Sequence, residues 1–321
     1  MGGALDPAVA TGRNLVREAL ADLAAGTRVV VGVSGGADSL ALAAVTAFVA
    51  DRGSLDLSAV VVDHGLQHGS DEVAARAVQQ LDGLGVRAVV RRVDVGRVGG
   101  PEAAARTARR EVLAASGADA VLLAHTLDDQ AETVLLGLGR GSGPRSIAGM
   151  AAIDGLWRRP FLPLRRAGTE QICRAHGLTW WTDPHNSDPA FRRSRVRGEV
   201  MPLLEDVLGR GVAEALARTA DQVRADGHLL DELAAQVADP LDVATLAALP
   251  PALRSRVLRR VALAAGAVGA ELSSTHLAEL DRLVTDWHGQ QRIELPGRVS
   301  VTRVRTSGGT SLTFAATPVG G

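Results

Sequence analysis

This sequence predicts a doubly wound α/β fold, a parallel sheet with helices on both faces, followed by a smaller α+β domain. Three observations point there. Short aliphatic runs at 28–33, 58–63, 86–93 and 119–124 alternate with Ala/Leu/Arg/Glu stretches at 39–51, 70–84, 102–116 and 127–138, whose apolar residues recur at helical spacing. Such alternation means βαβ units, and βαβ units set their strands parallel. Polar clusters follow the first, second and fourth runs, where a ligand sits in an open sheet of this kind, beyond the carboxyl ends of the strands.

The first run passes directly into Ser34-Gly35-Gly36-Ala37-Asp38-Ser39 and then into an apolar helix. Its two glycines can take positive φ and let main-chain N–H groups approach an anion, while Ser34 and Ser39 add hydroxyl donors. The helix start at Asp38 adds its positive dipole end. This reads as a phosphate site, with a plain strand-to-helix turn of small residues as the alternative, and it is no Walker loop, because Gly-Lys-Ser/Thr does not follow. After the second run, Asp63-His64-Gly65-Leu66 is placed to border a nucleotide, although a turn role suits His64 equally.

After the fourth run, His125-Thr-Leu-Asp128-Asp129-Gln-Ala-Glu132-Thr133 sets four ionisable groups within about two helical turns. Asp128 and Glu132 share one helix face, and Asp129 and Glu132 share the adjacent one. Three carboxylates at a helix start suit a divalent metal, a substrate ammonium, or both. Complementing the helix dipole is the plain alternative.

From 142 to 166 the chain is irregular, with a short strand near 156–159 and prolines at 160 and 163, and reads as a loop returning across the site. Cys173 falls in the helical pattern 170–175 and reads as a buried, inert thiol. Trp180 and Trp181 read as core. The run Phe191-Arg192-Arg193-Ser194-Arg195-Val196-Arg197 is the candidate for contact with a nucleic-acid backbone, with a solvated helix face as the alternative. Arg158, Arg159, Arg165 and Arg166 would extend that patch, and Phe191 is placed to stack on a flipped base. A long amphipathic helix at 209–236 links to helices at 250–266 and 273–287 and to a hairpin, 291–295 and 298–304, around Pro296-Gly297. Two domains are expected, 1–208 with the α/β sheet and its polar clusters, and 209–321 containing the linker helix and the small α+β domain.

Composition narrows the chemistry. Apolar residues make up 46% of the 321, enough for two globular cores. A net charge of −1 predicts no general affinity for nucleic acid or acidic membranes, so any such affinity must come from local clusters. The single cysteine excludes an intramolecular disulfide and a Cys-rich zinc site. All 35 basic residues are arginine and none is lysine. Arginine stays protonated, so lysyl-adenylate chemistry, Schiff bases and a phosphate-loop lysine are excluded, and any amine nucleophile must come from a substrate. No apolar stretch is long enough to span a bilayer, no signal peptide is visible, and a cytoplasmic protein without an obligate protein partner is expected.

Residues 34–39 match the Ser-Gly-Gly-x-Asp-Ser signature of the PP-loop ATP pyrophosphatases, whose Rossmann-like domain splits ATP between its α and β phosphates. The whole set resembles the tRNA(Ile)-lysidine synthase family. Its hallmarks stand here in order: the PP-loop, Asp63-His64-Gly65-Leu66, Ala105-Arg106-Thr-Ala-Arg109, His125 to Thr133, and Arg140-Gly141-Ser142-Gly143. Arg159-Pro160-Phe-Leu-Pro163-Leu resembles a further family segment. Arg110 stands where the family's motif ends on an aromatic, and Asp183-Pro-His185-Asn186 with Arg193-Ser194 depart from its Asp-x-Ser/Thr-Asn and Arg-Asn patterns.

The resemblance implies an ATP-dependent, AMP-forming ligase that joins free L-lysine to the wobble cytidine of tRNA(Ile) with a CAU anticodon, assisted by Mg²⁺. It implies ATP binding by Ser34, Gly35, Gly36, Ala37, Asp38 and Ser39, with Asp63 and His64 bordering the nucleotide and Asp38 holding the metal. Asp129 and Glu132 would meet the lysine ammonium, Arg106 its carboxylate, and His125 would handle a proton or contact phosphate. Arg192, Arg193, Arg195 and Arg197 would contact the tRNA. Two other readings are an NAD synthetase of the same fold and a nucleotide-responsive tRNA-binding protein without turnover. Thiolases of this fold use clustered cysteines and amidotransferase-coupled synthetases need a glutaminase domain, and neither is present in this sequence.

Overall fold

A computed structural model describes residues 5–65, 69–93, 101–141, 143–183, 188–269, 271–290 and 292–316. Leu66, Ser142, His185, Asn186 and Gln291 lie outside the described residues. The chain forms two compact units, one of Met1–Leu136 with Gly149–Arg218 and one of Gly137–Ala148 with Thr219–Gly321.

The first unit runs α1 (Pro7–Ala19), β1 (Arg28–Val33), α2 (Ala37–Gly53), β2 (Asp56–Asp63), α3 (Ser70–Gly83), β3 (Arg87–Arg92), α4 (Pro101–Ala114), β4 (Ala120–Leu122) and α5 (Leu127–Arg140). After α6 (Pro144–Ile147), which belongs to the second unit, come β5 (Ile153–Asp154), β6 (Trp157–Arg158) and α7 (Arg166–Ala175). Next is α8 (Arg192–Arg195), which continues through a π-helical segment, Val196–Val200, into α9 (Met201–Leu208). The six strands lie in the order β3-β2-β1-β4-β6-β5, all parallel except β5. The chain builds outward from β1 to β3 and then returns to β4 on the other side of β1, so the switch in strand order falls between β1 and β4. A crevice at the carboxyl ends of those two strands follows from that topology.

The valines of β1 explain why both faces are covered. Val29, Val31 and Val33 pack into one cluster with α1, α2 and α7, and Val30 packs into another with Leu113, Leu123 and Trp157. Gly32 lets α4 approach closely, since a Cβ there would lie 3.0 Å from Leu113 Cδ1. Helix α2 is apolar all round and buried to match, with Leu40 and Leu42 fully inaccessible. Each contributes about 1.5–3 kcal/mol by burial. The returning loop is clamped by Gln130, whose Nε2 donates to Met150 O at 2.9 Å while its Oε1 accepts Met150 N–H at 2.7 Å. Gly149 takes φ +62° beside that amide, where a Cβ would sit 2.8 Å away.

The second unit holds most of α10 (Val212–Ala235), then α11 (Val243–Ala248), α12 (Pro251–Ala264) and α13 (Ser274–Thr285). These pack against an antiparallel sheet β7-β8-β9 (Ile293–Leu295, Val299–Thr306, Gly309–Ala316) around Leu246, Leu258, Leu280, Leu283, Val301 and Leu312. The sequence reading missed β9, whose polar alternation carries little apolar signal, and α1. The signal for α1 was present: Asp6 caps it by accepting Ala8 N–H at 2.8 Å, with proline in its first turn. Among the described residues no helix is long and apolar enough to cross a membrane.

Candidate active site

A cavity of about 590 Å³ lies at the carboxyl ends of β1, β2 and β4, walled by α4, α7, residues 180–183 and the helical segment that carries Arg193 and Arg197. Its base is the turn after β1. Ser34 N–H donates to Ser39 Oγ at 3.1 Å, Ser39 Oγ donates to Gly36 O at 3.0 Å, and the two hydroxyl oxygens are 3.3 Å apart. Gly35 takes φ +80° with Val73 Cγ1 packed 2.9 Å from where a Cβ would be, so only glycine fits that turn. Ser34, Gly36, Ala37, Asp38 and Ser39 line the cavity at the start of α2, where the dipole and free N–H groups favour an anion.

The carboxylates predicted from 125–133 separate into different roles. Asp128 turns away and anchors the start of α7, accepting Arg166 N–H at 2.8 Å and Arg165 Nη1 at 3.1 Å. Asp129 accepts Thr126 N–H at 2.8 Å and Thr126 Oγ1 at 2.9 Å on one oxygen, and its other oxygen meets Arg166 at 3.4 Å and Arg197 at 3.3 Å. Burial alone would raise its pKa. Arg166, the Thr126 amide and Arg197 outweigh that and hold Asp129 below the ordinary carboxylate range.

Glu132 is 1% exposed and lies behind Arg197, whose guanidinium grips it at 2.6 and 3.1 Å, with Arg193 at 3.4 Å. Burial pushes the Glu132 carboxyl up, against the pull of Arg197. Asp38 accepts Thr169 Oγ1 at 2.5 Å and pairs with Arg166 at 3.3 Å, and burial raises its pKa as well. The Arg166 guanidinium therefore bridges Asp38 and Asp129.

Opposite charge lines another wall. Arg106 and Arg109 project from α4 into the cavity. Arg109 is half-buried, and its inaccessible Nε has no hydrogen-bond partner among the described residues. His125 is half-buried with an inaccessible, unpartnered Nδ1, and desolvation pushes its pKa down to about 3, so the ring is neutral. His64 faces the cavity and is lowered by burial and by Arg109. Asp63 does not line the cavity; it closes the turn after β2 by accepting Gly65 N–H at 2.9 Å.

The arginine run does not form one exposed face. Arg193 and Arg197 turn inward, Arg193 also donating to Thr133 Oγ1 at 3.0 Å, while Arg192 and Arg195 stay exposed and Arg195 pairs with Glu199 at 2.8 Å. Nor do Arg158 and Arg159 extend a surface patch, because both are buried, Arg158 forked onto Asp22 and Arg159 donating to Ala151 O at 2.7 Å. Trp180 packs partly against the core, but both Trp180 and Trp181 line the cavity, and Trp181 N–H donates to Gly35 O at 3.0 Å. Nothing in the sequence distinguished that placement from core packing. Cys173 is buried with its thiol on Ala37 O, and burial pushes its pKa up to about 12.

Comparison with known proteins fits this geometry. A family model described as a PP-loop domain matches residues 11–204, and one described as a TilS substrate binding domain matches residues 241–310. The tRNA(Ile)-lysidine synthase of Thermobifida fusca is 52% identical over 91% of this chain and 94% of its own length. That of Leifsonia xyli is 53% identical over 86% of this chain and 87% of its own. The chain belongs to the tRNA(Ile)-lysidine synthase family. A U34-tRNA thiolase from Methanococcus maripaludis superposes with a TM-score of 0.57 at 18% identity, covering 67% of this chain and 79% of that one, and so shares the fold.

Within this lysidine synthase scaffold the PP-loop supports use of ATP. Among the described residues no group of three His, Cys, Asp or Glu forms a metal site. A magnesium ion bound with nucleotide phosphates and water needs only one or two carboxylates. Asp38, beside Ser34 and Ser39 and bridged to Asp129 by Arg166, fits that requirement.

Proposed function

We propose that this chain joins the ε-amine of free L-lysine to C2 of the wobble cytidine of tRNA(Ile) with a CAU anticodon, forming lysidine, AMP and pyrophosphate. The observation that carries this reading is a single cavity in which the PP-loop is flanked by an arginine wall and a carboxylate wall. Such a cavity can seat a polyphosphate and a cationic amino acid together. A chain without lysine must take its amine nucleophile from a substrate.

In the first step the cytidine O2 attacks the α-phosphorus of ATP and pyrophosphate leaves. Ser34, Ser39 and the N–H groups at the start of α2 stabilise the departing charge with donors already in place. Mg²⁺ held by Asp38 would neutralise phosphate charge there. Arg109, half-buried with an unpartnered Nε, meets an anion in the cavity, and Arg106 takes the lysine carboxylate in a fork.

In the second step the lysine Nε attacks C2 and AMP leaves with the former O2. The incoming ammonium must first lose a proton. Asp129, which lines the cavity and is held ionised, orients it and the proton passes to solvent, while Glu132 stands behind Arg197 and holds that guanidinium against Asp129. His125 takes part as a neutral imidazole, a hydrogen-bond partner rather than a cation. Residues 209–321 assist tRNA binding, a role that the match at 241–310 supports. Arg192 and Arg195 meet RNA phosphates, whereas Arg193 and Arg197 order the carboxylates.

Asp129→Asn tests the ammonium site. Lysine-dependent AMP release should fall by about 10²-fold or more and KM for lysine should rise. Unchanged turnover at limiting lysine would remove Asp129 from the site.

A further inference from the structure

Four tryptophans and four phenylalanines are the only aromatic residues of the chain, and Trp287 alone among them is exposed, with 47% of its surface open to solvent. It sits just past the end of α13, in a short loop that is wired in place. Gln290 Nε2 donates to Asp286 O at 3.1 Å, His288 N–H donates to Gln290 Oε1 at 2.8 Å, and the indole Nε1 donates to Gln290 O at 3.4 Å. An exposed indole held by its own loop gains nothing from core packing.

The sheet beneath explains what lies against the ring. On β8 the residues 299, 301, 303 and 305 point to one face. Val299 and Val301 are core, and past the end of α13 the same face continues as Arg303 and Arg305. Arg303 donates to the C-terminal carbonyls Leu283 O and Val284 O at 2.7 and 3.4 Å, which fixes its guanidinium 5.2 Å from the Trp287 ring centroid. That cation lies over the indole, nearly half of which stays open to solvent, with the exposed Arg305 two residues further along. A rigid aromatic face backed by one guanidinium and flanked by another has the chemistry of a nucleobase-stacking platform.

We propose that Trp287, backed by Arg303, stacks on an unpaired base of the RNA substrate, with Arg305 contacting the adjoining phosphate. The proposal rests on the tRNA-modifying function above and on the match of residues 241–310 to a substrate binding domain. A protein surface would find a poorer partner here, since Arg303 and Arg305 already set positive charge around the ring.

Lysine transfer measured against tRNA concentration for wild type, Trp287→Ala and Trp287→Phe tests it. Trp287→Ala should raise KM for tRNA by about 5- to 150-fold, the loss falling on KM rather than kcat, while Trp287→Phe stays within about threefold of wild type. An unchanged KM in Trp287→Ala would overturn the proposal, as would a change in oligomeric state with KM intact. Should the alanine variant not fold, the tryptophan emission lost between wild type and Trp287→Phe decides: tRNA should quench that component, and an unquenched component would overturn the stacking. Failure of the wild type to transfer lysine would instead defeat the functional reading, and the quenching measurement would still report on Trp287.

Discussion

Replacing Arg197 with methionine probes the centre of the site, because it removes the half-buried partner of a buried carboxylate and leaves that carboxylate in place. Glu132 is 1% exposed and receives both prongs of Arg197, at 2.6 and 3.1 Å. Breaking such a pair costs about 3–5 kcal/mol. Arg193 remains 3.4 Å from the same carboxylate, which places the cost near the lower end, about 3 kcal/mol. For a unit of this size each kcal/mol lowers the thermal midpoint by about 2–4 °C, so the first unit should melt about 6–12 °C earlier by circular dichroism.

The penalty has a definite pH dependence. Burial already raises the Glu132 pKa above 4.5, and losing Arg197 raises it further. Between 4.5 and the folded value the native state then binds more protons than the unfolded chain, so stability falls as pH rises through that window. Arg197→Met should therefore be more damaging at pH 8 than at pH 5, and Glu132→Gln in the same chain should recover part of the loss. A midpoint shift below about 2 °C, or a penalty that ignores pH, would refute the buried fork.

Three further outcomes follow from the geometry. Cys173, with its thiol raised to about 12 and buried, should resist alkylation in the native state, and Cys173→Ala should retain lysine transfer; rapid labelling would contradict its burial. His125 has its pKa pushed from 6.5 down to about 3, so the unfolded chain binds more protons between those values. This site should therefore cost up to about 1.4 kcal/mol of stability per unit of acidification below 6.5, and His125→Gln should flatten that slope in urea titrations at pH 5 and 6.5. Arg192→Gln with Arg195→Gln should weaken tRNA binding and lower the slope of log affinity against log salt by up to about 2, and an unchanged slope would mark these residues as a solvated face.

Much of the site was legible because its residues are local in sequence. Residues 34–39 and 125–133 each follow a strand directly, so strand order alone brings Ser34, Asp38, His125 and Asp129 to one sheet edge. What the sequence left hidden depends on the third dimension. Arg166 looked like one more member of a basic patch, yet α7 packs so that it bridges Asp38 and Asp129. Arg193 and Arg197 read as a run facing solvent, but they are four apart on a helix, on the side that meets Glu132. Arg192 and Arg195 fall on the exposed side. Trp181 enters the cavity because its amide bonds to Gly35, a pairing across nearly 150 residues that no local pattern encodes. Alanine abundance blurred helix ends but not helix existence, since the apolar period survives small residues.

The most direct test of the central claim is incubation of the purified protein with ATP, Mg²⁺, labelled lysine and tRNA(Ile) bearing a CAU anticodon, with label counted in the RNA after mild alkali. The account predicts alkali-stable incorporation matched by release of AMP. AMP release with no label in the RNA would contradict lysine as the nucleophile, and silence in both would contradict the catalytic reading itself.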